Sequence, residues 1–186
     1  MKRTIDLLIS LIVLVVFFVP MIFIALSIKI VSKGSILHWS RRIGEDNQVF
    51  LMPKFRTMKI DAPQVATHLL QDSQSYLTPI GSFLRKYSID ELPQIYSIIV
   101  GDMSIVGPRP ALYNQYDLIK LREKYGLNKI KPGITGWAQI NGRDNLTIKE
   151  KVKKDREYLK KRSTLLDLKI IFLTLGKVLK RINIKH

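Results

Sequence analysis

Asp90 and Glu91 stand side by side in Ser88-Ile89-Asp90-Glu91-Leu92-Pro93, and adjacent carboxylates at the start of a helix serve one of two ends. The first is structural. Ser88 and Glu91 have the spacing of a capping box, acids in a first turn are ordinary dipole partners, and Pro93 is tolerated near a helix start. The second is chemical and uses the same geometry. Unpaired N–H groups hold a carboxylate ionised, so Asp90 can bind a divalent metal through oxygen or attack phosphorus as a nucleophile. Neighbouring residues on a helix point about 100° apart, so one acid can attack while the other handles a proton or a metal. Taken alone the pair is more often a cap than a catalyst.

Phosphate chemistry also requires positive charge that does not move. Arg109 lies between Pro108 and Pro110, on a stiff loop from which a guanidinium can offer a bidentate fork to phosphate. Lys54 and Arg56 flank Phe55, which puts both cations on one face of an extended segment, either for phosphate or as a snorkelling pair beside a membrane. Arg85 precedes the acids by a turn or two. Pro132-Gly133-Ile134-Thr135-Gly136 permits close backbone approach to a ligand, and Thr135, Gln139, Asn141 and Arg143 add polar groups suited to a nucleotide. Singly, each signal is weak. There is no Walker A loop and no GxGxxG, His38, His68 and His186 are scattered, and cysteine is absent. Thiolate-metal sites and Ser/His/Asp hydrolysis therefore have no support.

The elements that must carry these residues read as mostly α with a few short strands. Val49–Met58 is a short extended segment interrupted by Pro53, and the basic stretch before it, punctuated by Gly34 and Gly44, is rich in turns. Asp61–Leu70 is a short helix or loop. Ile80–Lys86 is a helix ending in a basic turn, and Ser88–Val100 is helical up to Gly101. Gly107-Pro108-Arg109-Pro110 is a fixed loop. Leu112–Tyr125 resumes helical spacing, and Lys131–Gly142 is a structured loop with one strand. Thr147–Arg162 is a charged helix. Leu165–Ile182 is an amphipathic helix with Lys177, Lys180 and Arg181 on one side, suited equally to docking on the core or to lying in lipid headgroups.

The 186 residues include 31 Lys plus Arg against 15 Asp plus Glu, a net charge of +16 that points to a polyanionic partner. From Leu7 to Ile28 the chain is apolar apart from Ser10, Pro20 and Ser27, long enough to enter a bilayer at about 20 residues and too long for a cleaved signal. Lys2 and Arg3 precede this segment, and Lys29, Lys33, Arg41 and Arg42 follow it. Positive charge favours the cytoplasmic side, and both flanks carry it. A re-entrant helix broken at Pro20 keeps both flanks inside; a kinked single span is the alternative. Residues 1–33 then form the membrane helix with its flanks, and residues 34–186 the catalytic domain.

Together these residues resemble the monotopic phosphoglycosyl transferases, the bacterial sugar transferase family. The resemblance rests on the Pro-broken anchor, Lys54-Phe55-Arg56-Thr57-Met58, Asp90-Glu91-Leu92-Pro93-Gln94 and Gly101-Asp102-Met103-Ser104, together with Val106-Gly107-Pro108-Arg109-Pro110 and Pro132-Gly133-Ile134-Thr135-Gly136-Trp137-Ala138-Gln139. It covers nearly the whole chain, and the short length is similar to the minimal members that act in capsule and O-antigen initiation. The resemblance implies a re-entrant helix, a compact catalytic domain with amphipathic interfacial helices, and a place on the cytoplasmic face of the bacterial inner membrane. It implies a UDP-sugar donor, an N-acetyl-deoxyamino sugar in particular, and undecaprenyl phosphate as acceptor. UMP is released through a phosphosugar carried on Asp90. Mg²⁺ near Asp90, Glu91 as assistant and Arg109 on a phosphate complete the implied site. Anionic phospholipid and downstream glycosyltransferases are the further partners, and nucleic acid is not one. Two departures stand out: Val19 replaces the Ser usual before the helix-breaking Pro20, and Met52-Pro53 replaces a usual Tyr-Lys.

Two rivals make different demands. A non-catalytic anchored module binding anionic lipid or nucleic acid explains the charge but not Asp90, Glu91 or two Gly/Pro-locked loops. Transfer of a sugar without its phosphate releases UDP rather than UMP.

Overall fold

The computed structural model describes residues 2–60, 62, 74–142 and 145–180. The apolar run forms one helix, α1 (Lys2–Val31), with Pro20 inside it. The helix continues through the proline instead of stopping there. Both of its ends pack on the rest of the chain. At the start, Asp6 and Ser10 are buried; towards the end, Ile28 is buried against Phe55 and Leu84, with Met21, Ile24 and Ala25 beside it. Residues 15–20 between these two contacts are exposed. A helix of 30 residues has a contour of about 45 Å, at about 1.5 Å per residue. That leaves a long apolar stretch uncovered between two docked ends.

The end of α1 is closed by a residue expected at the phosphate site. Arg56 donates from Nη2 to the Ser32 carbonyl (3.0 Å) and to Ser32 Oγ (2.7 Å), and from Nη1 to the Lys33 carbonyl. The last carbonyls of a helix have no partners within it, and a guanidinium satisfies them while offsetting the dipole. Gly34, at φ +110°, leaves the space that Arg56 occupies.

A three-stranded antiparallel sheet follows. β1 (Leu37–Ile43) is central, with β2 (Val49–Phe55) on one side and β4 (Ala111–Leu112) on the other. The hairpin register runs from Leu37 opposite Phe55 to Ile43 opposite Val49. β1 corrects the expectation of turns: His38, Arg41 and Arg42 interrupt its apolar alternation, so the period of a strand is hidden there. A parallel pair, β3 (Ser104–Val106) and β5 (Gly133–Thr135), forms a second small sheet.

The remaining helices are α2 (Gly81–Lys86), α3 (Ile95–Val100), α4 (Tyr116–Lys124), α5 (Trp137–Ile140), α6 (Ile148–Lys161) and α7 (Thr164–Lys180). Gly101, at φ +103°, ends α3 as expected. The main core gathers Met52, Ile95, Ile98, Met103, Val106, Tyr158 and Ile170 from both sheets and three helices. On α7, Ile170 is buried while Leu165 and Phe172 are exposed, so one face docks and the other stays apolar and uncovered. The expected Asp61–Leu70 element lies, apart from residue 62, outside the described residues, as do Arg143 and the end of the Leu165–Ile182 helix.

Candidate active site

The two acids sit in a 3-10 turn, Ile89–Gln94, that runs straight into α3. Ser88 precedes it in the left-handed conformation, at φ 54°, and makes no side-chain cap. The capping-box reading of Ser88 and Glu91 is therefore overturned. A true capping box closes α6 instead, where Thr147 and Glu150 exchange hydrogen bonds. With capping removed as their occupation, Asp90 and Glu91 have different surroundings.

Glu91 is fully engaged. Its Oε1 accepts from Lys54 Nζ at 3.0 Å and from Arg109 Nη2 at 2.9 Å. β2 delivers Lys54 from its end, and the loop after β3 delivers Arg109. Asp90 is buried at 7% exposure, and among the described residues no hydrogen bond or ion pair reaches its carboxylate. Burial, joined by the negative Glu91, raises the Asp90 pKa to about 6, although Lys54, Arg85 and Arg109 pull the other way. Desolvation disfavours the charged form, and here it outweighs three nearby cations.

Those cations feel the same environment. Burial lowers the Lys54 pKa, with Glu91 opposing and Arg109 adding to the fall. Arg85, on α2, is lowered by burial against the pull of Asp90, and its Nε donates to Thr57 Oγ1 at 2.8 Å. Lys54, Arg85 and Arg109, each expected to bind phosphate, thus converge on the acid pair. Such a buried concentration of positive charge suits the phosphates of a ligand and the charge that develops during phosphoryl transfer.

Two further groups belong to this cluster. Arg42, on β1, is pushed down to about 10 by burial, with Arg109 contributing and Glu91 opposing. His38 pairs across the hairpin with Lys54, and its pKa is lowered by desolvation and then by Lys54, Arg42 and Arg85. Both were hidden because β1 was. Alternation of His38, Ser40 and Arg42 opposite the Lys54 strand was the available signal.

Other expected ligands are employed elsewhere. Arg56 holds the end of α1. Thr135 Oγ1 lies 2.6 Å from Thr174 Oγ1, Gln139 Nε2 donates to the Ile134 carbonyl at 2.6 Å, and Asn141 Nδ2 donates to the Trp137 carbonyl at 2.7 Å. Glycines 133 and 136 do serve close approach, but what approaches is the backbone of Gly107. Neither position admits a Cβ, so the two Gly/Pro loops lock together, and Gly107 N–H donates to the Thr135 carbonyl at 2.9 Å. The loop after β5 is therefore a brace for the Arg109 loop.

The family model described as bacterial sugar transferase matches residues 1–181. The UDP-glucose:undecaprenyl-phosphate glucose-1-phosphate transferase of Escherichia coli K12 is 40% identical over 95% of this chain and 40% of its own length. The galactosyl transferase CpsE of Streptococcus agalactiae is 42% identical over 78% of this chain and 35% of its own length. The exopolysaccharide production protein ExoY of Sinorhizobium fredii is 36% identical over 95% of this chain and 84% of its own length. The chain thus spans well under half of the first two relatives and most of the third. With a match over nearly its full length, the chain belongs to the bacterial sugar transferase family.

Proposed function

We propose that this protein transfers a sugar 1-phosphate from a UDP-sugar to undecaprenyl phosphate and releases UMP. The observation that carries the reading is the division between two adjacent acids. Glu91 is clamped by Lys54 and Arg109, while Asp90 is buried without an ion pair among the described residues. A carboxylate oxygen of Asp90 bonds to the sugar-bearing phosphorus as the anhydride P–O bond breaks, and UMP leaves with that oxygen. A phosphate oxygen of the lipid then bonds to the same phosphorus, and the P–O bond to Asp90 breaks, which restores the carboxylate. Lys54, Arg85 and Arg109 hold the phosphates and offset the charge that builds on them. Glu91 keeps Lys54 and Arg109 in place. A nucleophile with a pKa of about 6 is ionised at neutral pH, yet its desolvation leaves it more basic than an exposed aspartate.

Mg²⁺ fits this donor set as a guest shared with substrate. It keeps several waters and takes one or two carboxylates together with substrate phosphates. Asp90 would hold the ion together with phosphate oxygens of the substrate. When bound, the ion neutralises diphosphate charge.

The anchor is read as re-entrant, with both flanks on the cytoplasmic face. Support comes from the docking of both ends of α1 on one body: Arg3 donates to the Ile99 carbonyl at 2.8 Å, and Ser32 meets Arg56 at the other end. The exposed residues 15–20 then form the part that enters lipid. The expected deoxyamino sugar finds no support in the relatives' names, which point to glucose and galactose. The donor panel therefore includes UDP-glucose, UDP-galactose and N-acetylated deoxyamino sugars. The test is nucleotide release with undecaprenyl phosphate and Mg²⁺. UMP from the wild type and none from Asp90→Asn is expected; UDP as product, or unimpaired Asp90→Asn, overturns the reading.

A further inference from the structure

Arg109 is not held by its two prolines alone. Three consecutive carbonyls of its loop are each taken by a donor from a different element. Gly133 N–H donates to the Pro108 carbonyl at 2.9 Å. Arg122 Nη1, on α4, donates to the Arg109 carbonyl at 2.8 Å, and Arg42 Nη1, on β1, donates to the Pro110 carbonyl at 3.1 Å. Proline fixes φ but leaves ψ to be set by contacts, so the carbonyl bonds decide where the loop presents its side chain. Arg122 is the donor on the carbonyl of Arg109 itself.

Arg122 has a partner of its own. Its Nη2 donates to Asp155 Oδ2, on α6, at 2.8 Å, and the two side chains are 12% and 2% exposed. Desolvating such a pair is costly, and stability alone is weak grounds for keeping it. What the pair achieves is a rigid fork: Asp155 orients the guanidinium, and the guanidinium fixes the Arg109 carbonyl. The far end of Arg109 then lands on Glu91 at 2.9 Å. We propose that Arg122, oriented by Asp155, is a positioning residue that sets the reach of the Arg109 guanidinium toward the substrate phosphate. This rests on the phosphosugar-transfer reading above.

The test is a cycle of substitutions read on UMP release, with UDP-glucose or whichever panel donor is turned over. Removing one member of a buried pair strands a charge, so the variant is Arg122→Met with Asp155→Asn, which takes both charges away and nearly keeps volume. In the Arg109 background this variant is expected to raise KM for the nucleotide sugar about tenfold, and in an Arg109→Lys background less than about twofold, as coupled residues do. A merely structural pair gives equal losses of kcat in both backgrounds with KM unchanged, and that result overturns the proposal. If the double variant fails to fold, Arg122→Lys, which keeps a cation beside Asp155 but cannot also hold the Arg109 carbonyl, runs the same cycle with the same two outcomes. If the wild type releases no UMP, the reading of function has failed, and the positioning claim is decided by hydrogen exchange over residues 104–112. Exchange there, accelerated while α6 stays protected, supports it; an unchanged rate overturns it.

Discussion

Two pairs of acids are drawn out of water in this chain, and they have opposite fates. At the base of α1, Asp6 Oδ2 accepts from Ser104 Oγ at 2.8 Å, and Asp6 Oδ1 accepts from the Ile105 N–H at 3.1 Å. Nearby, Asp167 accepts from Lys2 Nζ at 2.6 Å and from the Tyr158 hydroxyl at 2.7 Å. Each acid there has a donor on both of its oxygens. At the candidate site, Glu91 is served twice on one oxygen, while among the described residues Asp90 feels Lys54, Arg85 and Arg109 through their charge alone. Buried carboxylates that are fully hydrogen-bonded act as fasteners; a buried carboxylate among cations, its pKa raised, has the marks of a reactive group. Asp6 ties α1 to β3, which leads directly into the Arg109 loop, and Asp167 ties the start of α1 to α7.

The difference is sharpened by removing members of each pair. Asp90→Asn keeps the shape and removes the proposed nucleophile together with its desolvated charge, so UMP release is expected to fall about 10⁴-fold while the melting temperature at neutral pH rises. Lys54→Met strips Glu91 of one cation and the phosphate site of another. A fall in kcat/KM of about 10²-fold is expected in the same assay. Asp6→Ala leaves the Ser104 hydroxyl and the Ile105 N–H unpaired, at about 1–3 kcal/mol each. Denaturation in detergent or nanodiscs checks that loss, and turnover per folded molecule should change far less than with Lys54→Met. Tyr158→Phe removes one hydrogen bond to Asp167, worth about 1 kcal/mol, with UMP release unaltered. If Asp6→Ala proved as inactive as Asp90→Asn while remaining folded, the line between fastener and reactant would be wrong.

Acidity separates the pairs as well. The folded pKa of Asp90 is raised to about 6 from 3.8, so activity that needs the carboxylate is full above that value and fades as pH falls through it. Its effect on stability has the opposite sense. The folded state binds the proton more tightly, so this group destabilises the protein most above about pH 6 and relieves that burden as pH drops towards 3.8. A pH–rate profile beside a pH–melting profile checks both signs.

Much of the site was legible because motif residues sit where the chain has unusual constraints. Asp90, Glu91, Lys54 and Arg109 are each marked by proline or by a helix start, Arg85 closes the helix just before the acids, and the five converge. Arg42, His38 and Arg122 were not legible. The first two lie on a strand whose charges mask its period, and the third is one arginine among many on a helix, given meaning only by a backbone carbonyl far along the chain. Arg56 shows the reverse error. Its place beside Lys54 suggested phosphate, but the end of α1 presents carbonyls that need a donor, and that local demand took it. The glycines of residues 133–136 likewise signalled close approach correctly and left open what approaches. The longer helices α6 and α7 were legible because their spacing runs over several turns, whereas the four residues of α5 are too few to show a period and lie in a segment expected as loop.

The central claim is that Asp90 carries the phosphosugar between donor and lipid. The direct measurement is a rapid-quench assay with the UDP-sugar and Mg²⁺ but no undecaprenyl phosphate. A burst approaching about one UMP per enzyme, with the phosphosugar mass on the peptide containing Asp90, is the expected result. A burst that is absent until lipid phosphate is added, or that persists in Asp90→Asn, contradicts the account.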